Sequence, residues 1–225
     1  MKLGALGKWW LKNLLFLFLS GAVLFLLAGG TDWPLAWAYL GAILLTVFTN
    51  AAVVDPSLLA ERSELQAGTK KWDVILSVFV AILGPLLTLA VAGLDRRWGL
   101  FPFSWLPVQI PALFLFLLGA LLGAWAMGVN KFFSATVRIQ EERHHQVVTA
   151  GPYRWLRHPG YLAGIISNLM APLILGSRLG LIPALLVAGG YVLRTVLEDQ
   201  VLQEELTGYS EYARKVSYLL FPGVW

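Results

Sequence analysis

The sequence predicts an all-α fold, a polytopic membrane bundle of about six membrane helices whose last two form a short hairpin. Three observations predict it. The 225 residues carry 17 lysines and arginines against 13 acids, and their mean hydropathy is +0.70, too apolar for a soluble domain to hide. The backbone of a lipid-embedded chain must satisfy its own hydrogen bonds, which leaves helices or a closed barrel. The apolar residues come in continuous runs instead of alternating, which selects helices.

Taken in order, the first span is expected over Leu11 to Ala28, behind Lys2, Lys8 and Lys12. Gly29-Gly30-Thr31-Asp32 is a turn. Trp33 and Trp37 mark the interfacial start of a second span that ends near Val54, where Asp55-Pro56 stops it. Residues Ser57 to Lys71 form a polar loop with room for a short amphipathic helix carrying Leu58, Leu59 and Leu65. A third span covers about Val74 to Leu94, with Pro85 as a kink. An aromatic and proline-rich loop, Asp95 to Pro107, leads to a fourth span over Val108 to Val129. After a polar segment come two shorter apolar stretches, Tyr161 to Leu175 and Leu179 to Leu193, separated by Gly176-Ser177-Arg178 and read as a tilted hairpin. A polar, helix-prone tail from Glu198 to Tyr218 is broken at Gly208. Residues 1–129 form a four-span membrane region, and residues 130–225 form the functional region.

The N-terminal run resembles a signal peptide but is long and followed by further spans, so it is read as retained. With six crossings the basic segments fall on one side, and only Arg96, Arg97 and Arg178 oppose them. The positive-inside rule then places both termini, and the polar segment with them, in the cytoplasm. The scattered basic residues show no aromatic-basic stripe, so no nucleic-acid partner is expected; the net charge of +4 suits contact with anionic membrane lipids. The absence of cysteine excludes thiolate nucleophiles and cysteine-ligated metals.

All three histidines lie in the stretch from Glu141 to Tyr161, between two apolar runs. Charged and imidazole groups beside lipid point to recognition. Pro159 cannot continue a helix backwards, so His158 sits at a helix start, where backbone donors favour an anion. Basic residues beside a span also hold lipid headgroups, and that simpler reading stands beside the first. His144 and His145 point in different directions on a helix, and no ligand spacing accompanies them, so no metal is expected. Arg194 and Glu198, four residues apart, share a helix face. They form either a surface ion pair or a polar pair at the edge of a span that offers a fork to a carboxylate. Phosphate-binding loops, dinucleotide fingerprints and serine-hydrolase elbows are missing.

These segments resemble the isoprenylcysteine carboxyl methyltransferase family of integral-membrane enzymes, related to the phospholipid N-methyltransferases. The resemblance is carried by His145-Gln146-Val147-Val148, Gly151-Pro152-Tyr153 and Arg157-His158-Pro159-Gly160-Tyr161. It continues through Arg194, Glu198-Asp199 and Leu202 to Gly208-Tyr209, Tyr212 and Pro222, covering about Asn130 to Trp225. It implies S-adenosylmethionine as methyl donor, in a cofactor pocket built by the C-terminal part. The implied cofactor contacts are Gln140, His145, Gln146, Val147, Val148, Tyr153, His158, Pro159, Gly160, Tyr161 and Glu198, with Arg138 competing for the role of Gln140. Arg194 is implied to face the acceptor. Glu198-Asp199 stands where the family carries paired glutamates, and Gly160 where relatives carry serine or methionine. The implied acceptor is lipophilic, with a carboxylate such as that of an isoprenylated cysteine ahead of a phospholipid amine or a small thiol. Methyl transfer to such a group needs alignment and exclusion of water more than proton removal, so no general base is expected. A non-enzymatic scaffold or carrier with the same fold is the reading from a different class. It predicts that Tyr153, His158 and Glu198 point to different places.

Overall fold

The computed structural model describes residues 4–225, and no β-strand occurs among them. Helix α1 (Ala5–Ala28) starts a turn and a half before the expected span, because the interfacial Trp9 and Trp10 continue the helix among Lys8 and Lys12. Helix α2 (Pro34–Val53) has Pro34 in its first turn, where the missing N–H costs nothing. The short α3 (Pro56–Glu61) is capped by Asp55, whose carboxylate accepts from the Ser57 N–H at 2.7 Å.

The third crossing is α4 (Lys71–Val78) running through a π-helical turn (Phe79–Leu83) into α5 (Gly84–Trp98). The wide turn lies just ahead of Pro85, where the expected kink falls: a proline deprives the preceding turn of a donor, and a π-turn absorbs the mismatch. Helix α5 continues four residues into the expected loop, to a left-handed Gly99. Helix α6 (Leu106–Val129) follows, then a non-helical polar segment, then α7 (Pro159–Leu175), α8 (Leu181–Glu205) and α9 (Tyr209–Lys215).

The hairpin expectation needs a correction. Its second leg does not stop at Leu193. It runs on through Arg194, Glu198 and Asp199 as one 25-residue helix, about 38 Å at ~1.5 Å per residue. No residue between Leu193 and Glu205 breaks helical geometry. The change there is in polarity alone, and polarity marks the bilayer edge, not a helix end. Five helical segments are long and apolar enough to cross a membrane: α1, α2, α4 to α5, α6 and α8. Helix α7 has 17 residues, about 26 Å, and also runs from one end of the bundle to the other.

Helix α6 packs along α7, α7 along α8, and α1 along α5. Small residues allow these approaches. A Cβ added at Gly93 of α5 would lie 3.0 Å from the Leu24 carbonyl oxygen of α1, the kind of backbone contact that packs helices where lipid supplies no hydrophobic drive. The main buried cluster joins Leu24, Tyr39, Leu89, Phe116 and Ile174 from five helices. At the end of the bundle away from the polar segment, the buried Asp95 accepts from the Phe101 N–H and the Ser177 hydroxyl, both at 2.6 Å. Arg96 covers the Trp33 ring and donates to the Asp32 carbonyl.

At the other end, residues 130–158 wrap the helix ends with two 3₁₀ turns, Glu141–Arg143 and Gly151–Arg154. Two lines of contact tie this wrap down. The C-terminal tail accepts the Arg157 and His158 N–H groups on the carbonyls of Tyr218 and Leu219, both at 3.0 Å. Near the start of α4, Asp73 accepts the Val137 N–H at 2.7 Å, and the Val137 carbonyl accepts the Lys70 N–H at 3.0 Å.

Candidate active site

The start of α7 sets the geometry. His158 caps the helix and Pro159 occupies its first turn, so the chain turns sharply and His158 and Tyr161 lie on the same side, their rings parallel within 3° and 5.7 Å apart. The N–H groups of Tyr161 and Leu162 turn back onto the His158 carbonyl, at 3.1 and 3.3 Å. Pro159 contributes no donor. This helix start therefore offers an anion fewer free donors than the sequence implies.

The His158 ring is held by α8. Its Nε2 lies 3.2 Å from Oδ1 of Asp199. Tyr209 donates to that oxygen at 2.8 Å, Arg157 donates to both oxygens at 2.9 and 2.8 Å, and Gln203 donates to Oδ2 at 2.6 Å. Asp199 is buried and collects donors from four residues. An ionised carboxylate can only accept, which selects the tautomer with a proton on Nε2 of His158. One helical step away on α8, Glu198 accepts a hydrogen bond from the Tyr161 hydroxyl.

Arg194 is also committed. Its Nε and Nη2 donate side-on to the two oxygens of Asp73 at 2.6 and 2.8 Å, and Nη2 reaches the Ala135 carbonyl at 3.3 Å. The pair is buried. The guanidinium lies 5.0 Å from the centroid of Tyr161. Arg194 therefore presents Nη1, and its carboxylate-matching edge is already filled. The sequence paired Arg194 with Glu198; the fork goes to Asp73 of α4.

In the wrapping segment, Nδ1 of His145 accepts a long hydrogen bond from the Gln140 N–H at 3.4 Å, and its ring lies 4.5 Å from that of Phe132. Burial, and then the neighbouring Arg138 and Arg143, push the imidazole down to about 4, so it is neutral at pH 7 with Nε2 as its donor. Burial likewise holds the Tyr153, Tyr209 and Tyr212 hydroxyls well above their ordinary range and thus protonated. Tyr212 donates to the Tyr153 carbonyl at 2.8 Å, and Asn130 donates to the Tyr153 hydroxyl at 3.1 Å.

These pieces enclose one cavity of about 480 Å³, within the range that takes drug-sized ligands. Its wall includes His145, Gln146, Val147, Val148, Tyr153, His158, Gly160, Tyr161, Arg194 and Glu198. Gln140 and Pro159 do not line it. Gln140 is fully buried beneath the wall: its amide donates to the Phe132 carbonyl at 2.7 Å and accepts from Arg143 at 2.8 Å. Arg138 does line the cavity, bound to Glu61 and Glu142. Tyr153, His158 and Glu198 converge, against the expectation of the scaffold reading.

The sequence reading missed the contribution of the first 129 residues. Lys12, Arg62, Ser77 and Ala81 line the cavity, and Asp73 anchors Arg194. One signal was available: Asp73 is an acid at the first turn of an apolar span, a position that rarely carries charge without a partner. Leu65, Val78 and Ile82 are exposed apolar residues of the wall. A second, more open pocket shares His145, Gln146, Val147 and Tyr212 and adds Thr149, Thr207, Glu211 and Lys215. The wall thus carries an exposed apolar set of residues and borders a polar one.

Residues 112–204 match the model of the isoprenylcysteine carboxyl methyltransferase family. Over that segment, about two-fifths of the chain, the sequence is similar to this family. Protein-S-isoprenylcysteine O-methyltransferase B of Arabidopsis thaliana is 25% identical over 127 residues, 55% of this chain and 60% of the plant protein. Its A counterpart is 23% identical over 128 residues, 56% and 61% of the two chains. A rice protein (Oryza sativa subsp. indica) named "Probable protein-S-isoprenylcysteine O-methyltransferase" is 29% identical over 89 residues, 39% of this chain and 47% of its own length. The matches thus span about half to three-fifths of these relatives. The family segment holds the blocks from His145 to Glu198 and excludes Lys12, Arg62 and Asp73.

Among the described residues, no group of three or more histidines and acids is placed to hold a metal ion. The lining does suit a sulfonium nucleotide. Five tyrosines, at 153, 161, 191, 209 and 212, supply electron-rich faces for a cation. Glu198 accepts from hydroxyl or amine groups, and neutral His145 adds a donor.

Proposed function

We propose that this chain is an integral-membrane methyltransferase. It uses S-adenosylmethionine to methylate the carboxylate of a lipophilic acceptor such as an isoprenylated cysteine. The observation that carries the reading is the convergence of residues 145–148, 153, 158–161 and 198 on one cavity, inside the segment that matches the family. The scaffold reading gives no reason for that convergence.

The bound cofactor supplies an electrophilic methyl group on a positively charged sulfur. The protein's part is orientation. His145 to Val148 and Tyr153 form one wall for the nucleotide, and His158 to Tyr161 the next. Asp199 fixes the His158 ring, and Tyr161 fixes Glu198, so neither group has to reorganise when the ligand arrives. Arg194 holds the acceptor with Nη1, its other edge anchored by Asp73. A carboxylate acceptor is already ionised at neutral pH, so a bound sulfonium donor would supply the methyl group to its oxygen and leave as a neutral thioether, and no residue would have to take a proton. Opposite charges vanish in that step, which a water-poor site favours. The cations in the wall suit an anionic acceptor better than an amine.

The two sets of residues suit the two substrates. The apolar set at Leu65, Val78 and Ile82 suits the apolar acceptor, and the polar set at Thr149 and Lys215 suits the water-soluble donor. Six passes through the bundle bring the start of α1 and the C-terminal tail to the cavity end. Arg96, Arg97 and Arg178 lie at the far end, and the greater number of basic residues at the cavity end supports a cytoplasmic cavity in this reading.

The test is titration calorimetry with S-adenosylmethionine in detergent, using the wild type, Glu198→Ala and His158→Ala. Saturable binding by the wild type that weakens in both variants is expected. A wild type that does not bind, or variants that bind as well as it does, overturns the proposal.

A further inference from the structure

Four arginines line the cavity: Arg62, Arg138, Arg157 and Arg194. Three are paired with carboxylates, Arg138 with Glu61 and Glu142, Arg157 with Asp199, and Arg194 with Asp73. Among the described residues Arg62 forms no such pair. Its Nη1 donates to the Phe133 and Ser134 carbonyls at 3.1 and 2.8 Å, and its guanidinium carbon lies 5.0 Å from the Phe133 ring centroid. The adjacent Glu61 does not pair with it: Oε1 of that carboxylate takes Arg138 at 3.2 Å and Ser134 Oγ at 3.1 Å, and Oε2 is buried without a partner.

The Nη1 contacts fix the plane of the Arg62 guanidinium and leave Nε and Nη2 without a protein acceptor. Those two N–H groups form the side-on edge that matches the two oxygens of a carboxylate. Arg194 shows the match inside this same protein, since its Nε and Nη2 hold Asp73 in that geometry. Lys12, whose ammonium donates to the Ser63 carbonyl at 2.6 Å, lines the same part of the wall. Burial pushes the Arg62 guanidinium down from its ordinary value, the mark of a cation that gains from a counter-ion.

We propose that the Nε/Nη2 edge of Arg62 is a carboxylate-binding site of the cavity, built by the N-terminal region to seat a ligand carboxylate between Arg62 and the free Nη1 of Arg194. The proposal rests on the methyltransferase reading. It adds a residue that lies outside the matched segment 112–204. The carboxylate belongs either to the acceptor or to the amino-acid end of the methyl donor.

The experiment uses the full chain in detergent, with Arg62→Lys and Arg62→Gln. Lysine keeps a charge and a donor for the carbonyls but loses the side-on edge. Four readouts are taken: affinity for S-adenosylmethionine, affinity for 5′-methylthioadenosine (which lacks the carboxylate), KM for an N-acylated S-farnesylcysteine, and inhibition by its carboxamide. If the site seats the acceptor, both variants raise that KM about tenfold or more, as expected for a lost charged pair of hydrogen bonds, and the other three readouts hold. If it seats the donor, S-adenosylmethionine binding falls by that factor and methylthioadenosine binding holds. Thermal melting in detergent close to that of the wild type shows that the variants are folded. Folded variants unchanged in all four readouts, or weakened equally for ligands with and without a carboxylate, overturn the site while the wild-type data leave the methyltransferase reading intact. A wild type that binds no donor overturns both.

Discussion

Replacing Asp73 with alanine removes the partner of Arg194 and the acceptor of the Val137 N–H in one step. The carboxylate is fully buried and Arg194 is 6% exposed, so the orphaned guanidinium has little water to turn to. Breaking a buried ion pair from one side costs about 3–5 kcal/mol, and stranding a buried backbone N–H adds about 1–3 kcal/mol. Reversible unfolding in mixed micelles of rising SDS fraction measures the sum, expected at about 4–8 kcal/mol. The decisive comparison is a cycle built from Asp73→Leu, which strands Arg194 in the same way, and Arg194→Met. The latter change alone strands Asp73 and costs about 3–5 kcal/mol. Asp73→Leu with Arg194→Met removes both charges and fills the space, which in buried pairs is close to neutral apart from the Val137 donor. The cycle predicts a double variant more stable than either single one, with a coupling of several kcal/mol. Additive losses would refute the reasoning, because the two side chains would then not be anchoring each other.

Three shorter predictions concern the cavity wall. A Cβ added at Gly160 would overlap the Phe133 ring; Gly160→Ala should cost about 1–3 kcal/mol of stability and weaken donor binding, and Phe133→Leu should restore part of both, measured by unfolding and calorimetry. Gln140→Ala should destabilise the fold by about 1–3 kcal/mol, because the Phe132 carbonyl and Arg143 lose their partner. Its folded fraction should bind the donor like the wild type, since Gln140 lies beneath the wall. His145, held near 4 in the fold against an ordinary value near 6.5, takes up its proton later than in the unfolded chain. Its contribution to stability is therefore complete above about pH 6.5 and lost as the pH falls through about 4. An NMR titration of labelled histidine should place the His145 midpoint near 4, and a midpoint at or above 6.5 contradicts its placement.

Most of the fold is legible in the sequence because a bilayer imposes length and polarity on every span. Trp33 before Pro34 and Asp55 before Pro56 mark helix ends that sequence chemistry can read. What misleads is polarity inside a helix. The charges at Arg194, Glu198 and Asp199 look like the end of the last hydrophobic leg, yet α8 passes through them without a break, carrying its functional face out of the lipid. The C-terminal half of the site is legible because its residues sit in contiguous blocks around Pro159 and on one face of α8. The other half is not. Arg62 and Asp73 are single residues at the edges of an otherwise ordinary loop and span, and only the antiparallel packing of six passes brings them to Arg194. Gln140 shows the reverse error: a polar residue beside the right block turns inward to hold the wall up.

The proposed function requires the blocks around residues 145, 158 and 198 to form one donor chamber. The most direct measurement is ultraviolet cross-linking of methyl-labelled S-adenosylmethionine to the purified protein, with labelled peptides mapped by mass spectrometry. Label is expected on peptides spanning residues 145–161 and 191–212, removed by excess unlabelled donor. Label confined to other helices, or label on these peptides that excess donor does not displace, would contradict it.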